Sequence, residues 1–297
     1  MIYIKLEENM DKFFIINAPK FFKKILFVIY KKIGKIKIKK IENFECIILP
    51  EINEKILKKL TKISKIKCFT NICVSNNLAK NENFKNFILK NNFNLLNGKW
   101  LFKNILYKII EYIVDIKNEK IEAQEITILC NNLDETILEQ IKDISQKAKI
   151  FNILTNNINQ FEKLETQILE EFGIIINISN NYKKLAIKSG IVINYDFNEN
   201  ELNKCIFSKN KYLINLNDKL KISNFQGRCI IDYDIYMPQK YIDLQNQIEG
   251  FENNILYESF IYMRTSYKNI KKKINEDNIQ IFYLKDSNEK IIKKHQK

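Results

Sequence analysis

The chain predicts an α/β protein: a doubly wound parallel sheet in its second half, preceded by a small α/β N-terminal domain and a long connecting helix. Three observations carry that prediction. From Glu125 onward, apolar runs and amphipathic stretches alternate at short spacing, the pattern of parallel strands joined by crossover helices. The runs are apolar nearly throughout, as strands covered on both faces must be. Four runs stop at a small residue followed by two asparagines, at Ser75-Asn76-Asn77, Cys130-Asn131-Asn132, Thr155-Asn156-Asn157 and Ser179-Asn180-Asn181. Strand ends are where open α/β sheets take ligands. Asparagine also suits helix caps and left-handed backbone, which is the structural reading of the same residues. A chain this rich in Lys, Asn and Ile reads as encoded by AT-rich DNA, where asparagine pairs arise by chance. Only Asn91-Asn92 and Asn253-Asn254 lie away from strand-like runs, however, so the position of the other pairs reads as selected.

In order along the chain, residues 1–97 mix strands at 2–6, 13–17, 46–49 and 67–75 with helices near 20–33, 53–63 and 82–90. This is the N-terminal domain. A connecting helix within 98–123 follows, with Leu101, Ile105, Ile109, Tyr112 and Ile116 recurring at helical spacing. Residues 124–237 form the main domain, with strands at 126–130, 149–155, 174–179 and 191–195 and helices at 134–148, 159–172 and 182–188. Asp134 stands near the first helix start, with Ile137, Leu138, Ile141, Ile144 and Ala148 on one face; Phe161, Leu164, Ile168 and Phe172 mark the second, which Gly173 stops. Runs 212–216 and 229–232 extend the sheet. Residues 238–297 are read as C-terminal helices, packing through Ile255, Phe260 and Ile261, and a basic tail with one strand at 279–284.

At 297 residues and 45% hydrophobic content the chain can hold two domains with proper cores. Its net charge is +14, yet eleven lysines against three acids in residues 1–40, and nine against four in 268–297, put thirteen of those charges at the two ends. A neutral body with basic ends attracts nucleic acid, acidic lipid or an acidic partner without specificity. The only arginines, Arg228 and Arg264, are too few for bidentate reading of bases. Arg228 is expected before a strand, at the sheet edge opposite the asparagine pairs, in an internal salt bridge. Six cysteines with no C-x-x-C pair read as buried thiols in the cytoplasm, and the sole histidine, His295, leaves a zinc site or a histidine-based triad without its usual parts. No metal is expected. Residues 21–30 are the most hydrophobic stretch but are too short to span a bilayer. They are read as a core helix, with a surface-lying amphipathic helix as the alternative.

Residues 98–232 resemble the nucleotide-binding half of the shikimate dehydrogenase and glutamyl-tRNA reductase families. The likeness rests on Asn97-Gly98-Lys99-Trp100-Leu101-Phe102 before the connecting helix, on Thr155-Asn156-Asn157 with Phe161-Glu162-Lys163-Leu164 and Glu171-Phe172-Gly173, and on the run Ala186 to Tyr195. It implies a Rossmann-like domain and, by analogy, NAD or NADP. The sequence departs from that pattern in the turn after the first strand, Asn131-Asn132-Leu133-Asp134-Glu135-Thr136, which has no glycine to let backbone approach a pyrophosphate. Asp134 and Glu135 repel phosphate there. Asn156 and Asn157 stand where the family places an arginine for the NADP phosphate. Asn17-Ala18-Pro19-Lys20 is a shortened form of the family's lysine segment, and the substrate aspartate falls on Leu96 or Asn97. Cys46, Cys68 and Cys73 have no histidine beside them to make a reductase nucleophile.

The expectation is therefore a cytoplasmic, Rossmann-like binding or interaction module without the dinucleotide fingerprint. Its candidate ligand-binding residues are Asn131, Asn132, Asn156, Asn157, Asn180, Asn181 and Asp196, facing a small ligand or a protein partner; no cofactor is expected. The alternative is an NAD(P)-dependent oxidoreductase with an atypical loop. Asp218, Asp232 and Asp234 are further acids expected at strand ends.

Overall fold

Parallel strand pairing organises both halves of the chain, which the computed structural model divides into Met1–Trp100 with Met237–Lys273, and Leu101–Tyr236 with Ile274–Lys297. The structure describes residues 1–7, 13, 19–42, 44–182, 189–207, 209, 211–217, 220, 222, 225–262, 265 and 269–294. The expected strand 13–17 beyond Phe13, the helix 182–188 beyond Tyr182, Asn17, Ala18, the run 186–188, Asp218, Arg264 and His295 lie outside the described residues.

In the first unit, strands β1 (Ile2–Leu6), β2 (Lys37–Ile41), β3 (Phe44–Leu49), β4 (Asn71–Val74) and β5 (Asn94–Leu96) form a sheet of order β2-β3-β1-β4-β5. All neighbours are parallel except β2, which runs antiparallel along the edge beside β3. Its lysines guard that edge against pairing with another chain. Helices α1 (Lys20–Ile33), α2 (Glu54–Lys67), α3 (Asn76–Ala79) and α4 (Glu82–Lys90) accompany the sheet. Ile4, Ile47, Ile56, Leu60, Ile72, Leu78 and Phe84 close its core. The later helix Asn253–Tyr262 belongs to the same unit and is buried almost all round, including the expected Ile255, Phe260 and Ile261. The Tyr3 hydroxyl bonds Ser259 Oγ at 2.6 Å.

Two expectations for this unit are corrected. Helix α1 is not a core helix: Phe27 alone is buried, Leu26 and Tyr30 pack part-buried beside it, and the other six apolar residues face solvent. Cys68 is not in a strand. It is the exposed, left-handed C-cap of α2 (φ 50°), and β4 begins only at Asn71.

In the second unit, β6 (Glu125–Leu129), β7 (Ile150–Leu154), β8 (Asn177–Ser179), β9 (Ile191–Asn194), β10 (Tyr212–Asn215) and β11 (Arg228–Ile235) are parallel, and β12 (Ile281–Asp286) and β13 (Ile291–Ile292) add antiparallel at one side. The sheet order is β13-β12-β11-β10-β9-β6-β7-β8. Counting β6 as the first strand, its parallel part reads 3-2-1-4-5-6, the doubly wound Rossmann order. The stretch 99–117 forms two helices, α5 (Lys99–Asn104) and α6 (Leu106–Ile116), with a kink at Ile105 (φ −110°, ψ 18°) across which the backbone bonding still runs. Helix α7 (Glu135–Ser145) is capped by Asp134, whose side chain accepts from Ile137 N at 2.9 Å. Helix α8 (Ile158–Phe172) ends at left-handed Gly173, as its sequence predicts. A single turn, α9 (Glu199–Leu202), follows β9. Strand β11 continues through Asp232 and Asp234, so these are strand residues and not strand-end acids; pairing with β12 lengthens the strand past its apolar part. Among the described residues no helix is long and apolar enough to cross a membrane.

Candidate functional site

The strand order reverses between β6 and β9, so the loops after these two strands flank the crevice in which such sheets take ligands. Asn194, the buried last residue of β9, shapes one of those loops. Its Oδ1 accepts from Phe197 N at 2.9 Å and its Nδ2 donates to Phe197 O at 3.1 Å, while the Phe197 ring is fully buried. That turn holds Asp196 toward the loop after β6.

Asp196 there accepts three hydrogen bonds. Asn131 N donates to Oδ1 at 2.7 Å, and Asn132 donates to Oδ2 through its backbone N at 2.8 Å and its Nδ2 at 2.9 Å. In dinucleotide-binding sheets the N–H groups of this turn face a pyrophosphate. Here a carboxylate of the chain's own occupies them. It stands in for the anion such a loop would otherwise bind.

A second carboxylate ties in the neighbouring loop. Glu201 Oε1 accepts from Asn131 Nδ2 at 2.9 Å and from Asn156 Nδ2 at 2.6 Å. Its Oε2 accepts from Asn198 N at 2.8 Å, closing a capping box at the start of α9. Asn156 N donates to Asn131 Oδ1 at 2.8 Å, Asn157 Nδ2 donates to Asn131 O at 2.9 Å, and the Tyr182 hydroxyl donates to Asn156 Oδ1. The ends of β6, β7 and β9 are thereby joined into one network. Asn131, Asn132, Asn156, Asn157 and Asp196 lie in it together. Asn181 N bonds Ser179 Oγ at 3.0 Å, and exposed Asn180 lines, with Asn156, Asn157 and the first residues of α8, an open hollow of about 530 Å³. Asn76 and Asn77 belong to the other unit and sit within α3.

The structural role expected of these asparagines is also corrected. None of the six in this unit has positive φ; that conformation falls at Asn92, Asn118 and Asn278 instead. Asn157 precedes α8 without a side-chain capping bond. Their work is lateral, between strand ends. Glu201 and Tyr182 were not expected, although Asn198-Glu199-Asn200-Glu201 carries the Asn-x-x-Glu capping pattern that points to Glu201.

The electrostatics oppose a bound phosphate. Asp134, Glu135, Asp196 and Glu201 gather around the loop, and the Asp134 carboxylate accepts the Tyr195 hydroxyl at 2.5 Å. Lys103 lies over the Tyr195 ring at 4.4 Å. The Cys130 thiol, 3.1 Å from Asn132 O, is pushed up first by burial and then by the Asp196 charge; the Cys205 thiol is pushed up to about 12 by burial and by Glu201. Both are inert as nucleophiles. The residues present do not fit a dinucleotide in the ordinary manner. The first-turn amides are taken, and Leu133 adds bulk where a glycine is needed.

A larger hollow of about 1050 Å³ lies elsewhere in the unit, floored by Tyr112, Tyr236 and Phe282. The chain's own Lys293 and Lys294 cover the Phe282 and Tyr112 rings at 4.2 and 4.8 Å. Arg228, at the start of β11 and the edge away from the asparagines, bonds the Tyr212 hydroxyl at 3.2 Å. Among the described residues, no three His, Cys, Asp or Glu side chains are grouped to hold a metal.

No protein-family model and no curated protein sequence matches the chain. Solved structures do align with it. L-tryptophan dehydrogenase from Nostoc punctiforme matches at 6% identity and TM-score 0.31 over 74% of this chain, which spans only 64% of that enzyme's length. NAD-dependent formate dehydrogenase from Staphylococcus aureus in complex with NAD matches at 13% and 0.26, and D-mandelate dehydrogenase from Rhodotorula graminis at 7% and 0.30, each over 72% of both chains. At these TM-scores the likenesses carry nothing about activity; the Rossmann-like fold stands on the strand order.

Proposed function

We propose that the second unit is a Rossmann-like scaffold whose dinucleotide crevice is closed from within, and that the protein acts as a binding or interaction module rather than as a dehydrogenase. The observation that carries this is the Asp196 carboxylate on the Asn131 and Asn132 amides. A phosphate would have to displace it against the charges of Asp134 and Glu135. The exposed rim that remains, Asn156, Asn157 and Asn180, offers neutral amide donors and acceptors. Such a rim suits an uncharged polar ligand or the backbone of a protein segment. The five buried thiols fit a reducing compartment, the cytoplasm.

The test is thermal stability with millimolar NAD, NADH, NADP and NADPH. A ligand bound at a hundredfold its dissociation constant would add about 2.7 kcal/mol. No shift with any of the four is expected. A clear shift with one would overturn the proposal in favour of the second reading, an NAD(P)-dependent oxidoreductase of the shikimate dehydrogenase-like type, which the 3-2-1-4-5-6 strand order favours.

A further inference from the structure

Helix α1, KFFKKILFVIYKKI, has two apolar faces, and the first unit uses one. Phe27, Leu26 and Tyr30 pack on Phe13 and Ile48. Phe21, Phe22, Ile25, Val28, Ile29 and Ile33 point elsewhere and are 42–70% exposed. At about 100° per residue they span an arc of roughly 140°, a stripe along the helix that Lys32 interrupts only in the last turn. They are six of the sixteen large exposed hydrophobic residues described, all on one helix of 14 residues. The helix is also held against rolling them inward. Gly34 N and Lys35 N bond back to Lys31 O and Tyr30 O at 3.0 and 2.9 Å, and Lys59 Nζ grips the carbonyls of Ile33 and Gly34 at 2.6 and 2.8 Å.

The charges on the helix itself have one sign. Lys20, Lys23, Lys24, Lys31 and Lys32 are on the helix, which contains no acid, and residues 1–40 carry a surplus of eight positive charges. Protein interfaces are depleted in lysine at their centres. A bilayer surface is the complement: acyl chains for the stripe and phosphates for ammonium groups that need no bidentate geometry.

We propose that α1 docks this protein on an anionic lipid bilayer, lying in the plane of the headgroups with Phe21, Phe22, Ile25, Val28 and Ile29 in the acyl boundary. At roughly 21 Å it is too short to span. The test is co-sedimentation of the full chain with vesicles of phosphatidylcholine alone or mixed with phosphatidylserine. Binding to the anionic vesicles should be at least about tenfold tighter and should weaken with salt. The pair Phe21→Ser/Phe22→Ser should abolish it, and Lys24→Gln/Lys32→Gln should weaken it by roughly tenfold or more, with circular dichroism unchanged. Ile66→Ser, on the exposed side of α2, should leave binding intact. Absence of binding, equal binding to neutral vesicles, or equal loss in the Ile66 variant would overturn the proposal. So would a dimer that the Phe21/Phe22 variant converts to monomer without vesicle binding, since a second copy would then own the stripe.

Discussion

Replacing Asp196 by alanine removes the acceptor for three N–H groups at 2.7 to 2.9 Å. Hydrogen bonds to a charged group contribute about 1.5–3 kcal/mol each, so the ceiling is several kcal/mol. Asn132 is exposed, and water replaces its two bonds at small net cost; Asn131 is half-buried and loses more. About 2 kcal/mol is the expected loss, or roughly 4–8 °C in Tm for a unit of this size. Asp196→Asn should lie between alanine and the parent, because it keeps one acceptor oxygen but turns an NH2 toward an N–H. Urea titration gives the stability change, and amide hydrogen exchange localises it. Asn131 N–H should exchange faster by at least about tenfold in the alanine variant, beyond the global change. If alanine costs less than about 0.5 kcal/mol and exchange at Asn131 is unaltered, Asp196 does not close the crevice and the functional proposal loses its support.

Glu201→Ala and Asn156→Ala should each destabilise by about 1 kcal/mol and couple by 0.5 kcal/mol or more in a double-mutant cycle; strict additivity would dissolve the bridge. At Gly227 a Cβ would run into the Lys211 carbonyl and the Phe225 ring, so alanine there should cost about 2 kcal/mol or more, whereas at Gly173, in open space at φ +67°, it should cost about 1 kcal/mol for backbone alone. Equal costs would refute the steric account. Native alkylation should modify Cys68 and spare the five buried thiols until the chain unfolds; early loss of Cys130 would contradict its burial. Burial raises Cys46 from an ordinary 9.0 to about 11 and Cys205 to about 12, so the unfolded chain ionises first. Stability from this source is complete below about pH 9 and is lost as pH rises through those folded values. The urea midpoint should fall over that window, less steeply in Cys205→Ala.

Legibility in the sequence followed burial. Strands β6, β7 and β9 and helices α7 and α8 were legible within a few residues because both faces of the sheet are covered and every strand must be apolar. Edge strands obey no such demand: β2 reads KIKKI, with lysines doing the work of edge protection, and carries no strand signal. Helix α1 misleads for the opposite reason, since its composition is that of a core helix and only the structure shows which face the fold has filled. At the site, position was legible and mechanism was not. The asparagines and Asp196 could be placed at strand ends, but the bonds from Asp196 to the loop after β6 join residues 64 and 65 positions apart. Local pattern holds no record of that closure.

Asparagine is not itself the mark of function here. Three asparagine pairs sit in register on adjacent parallel strands and bond side chain to side chain: Asn71 with Asn94 at 2.6 Å, Asn152 with Asn177 at 3.0 Å, and Asn194 with Asn215 at 2.9 Å. An amide carries both donor and acceptor, so it satisfies a copy of itself across a ladder where a carboxylate or an ammonium would need a different partner. With Glu125 and Thr127 on the Asn152 amide, the Phe197 backbone on Asn194 and the Asn217 carbonyl on Asn215, these pairs leave Asn152, Asn194 and Asn215 buried without an orphaned polar atom. One carboxylate enters the ladders, Glu125 Oε1 accepting from Asn152 Nδ2 at 3.1 Å; the crevice differs in that two carboxylates, Asp196 and Glu201, converge on a single asparagine. Asn131 engages Glu201 through its Nδ2, Asn156 N through its Oδ1, Asn157 through its carbonyl and Asp196 through its backbone N–H, and so has its hydrogen-bonding capacity committed at four points. Freeing one of them does not restore a dinucleotide loop, because Leu133 and the charges of Asp134 and Glu135 remain. The Asp196→Ala variant should therefore lose stability without gaining NAD affinity, which separates a crevice closed by its whole loop from one merely gated by a single side chain.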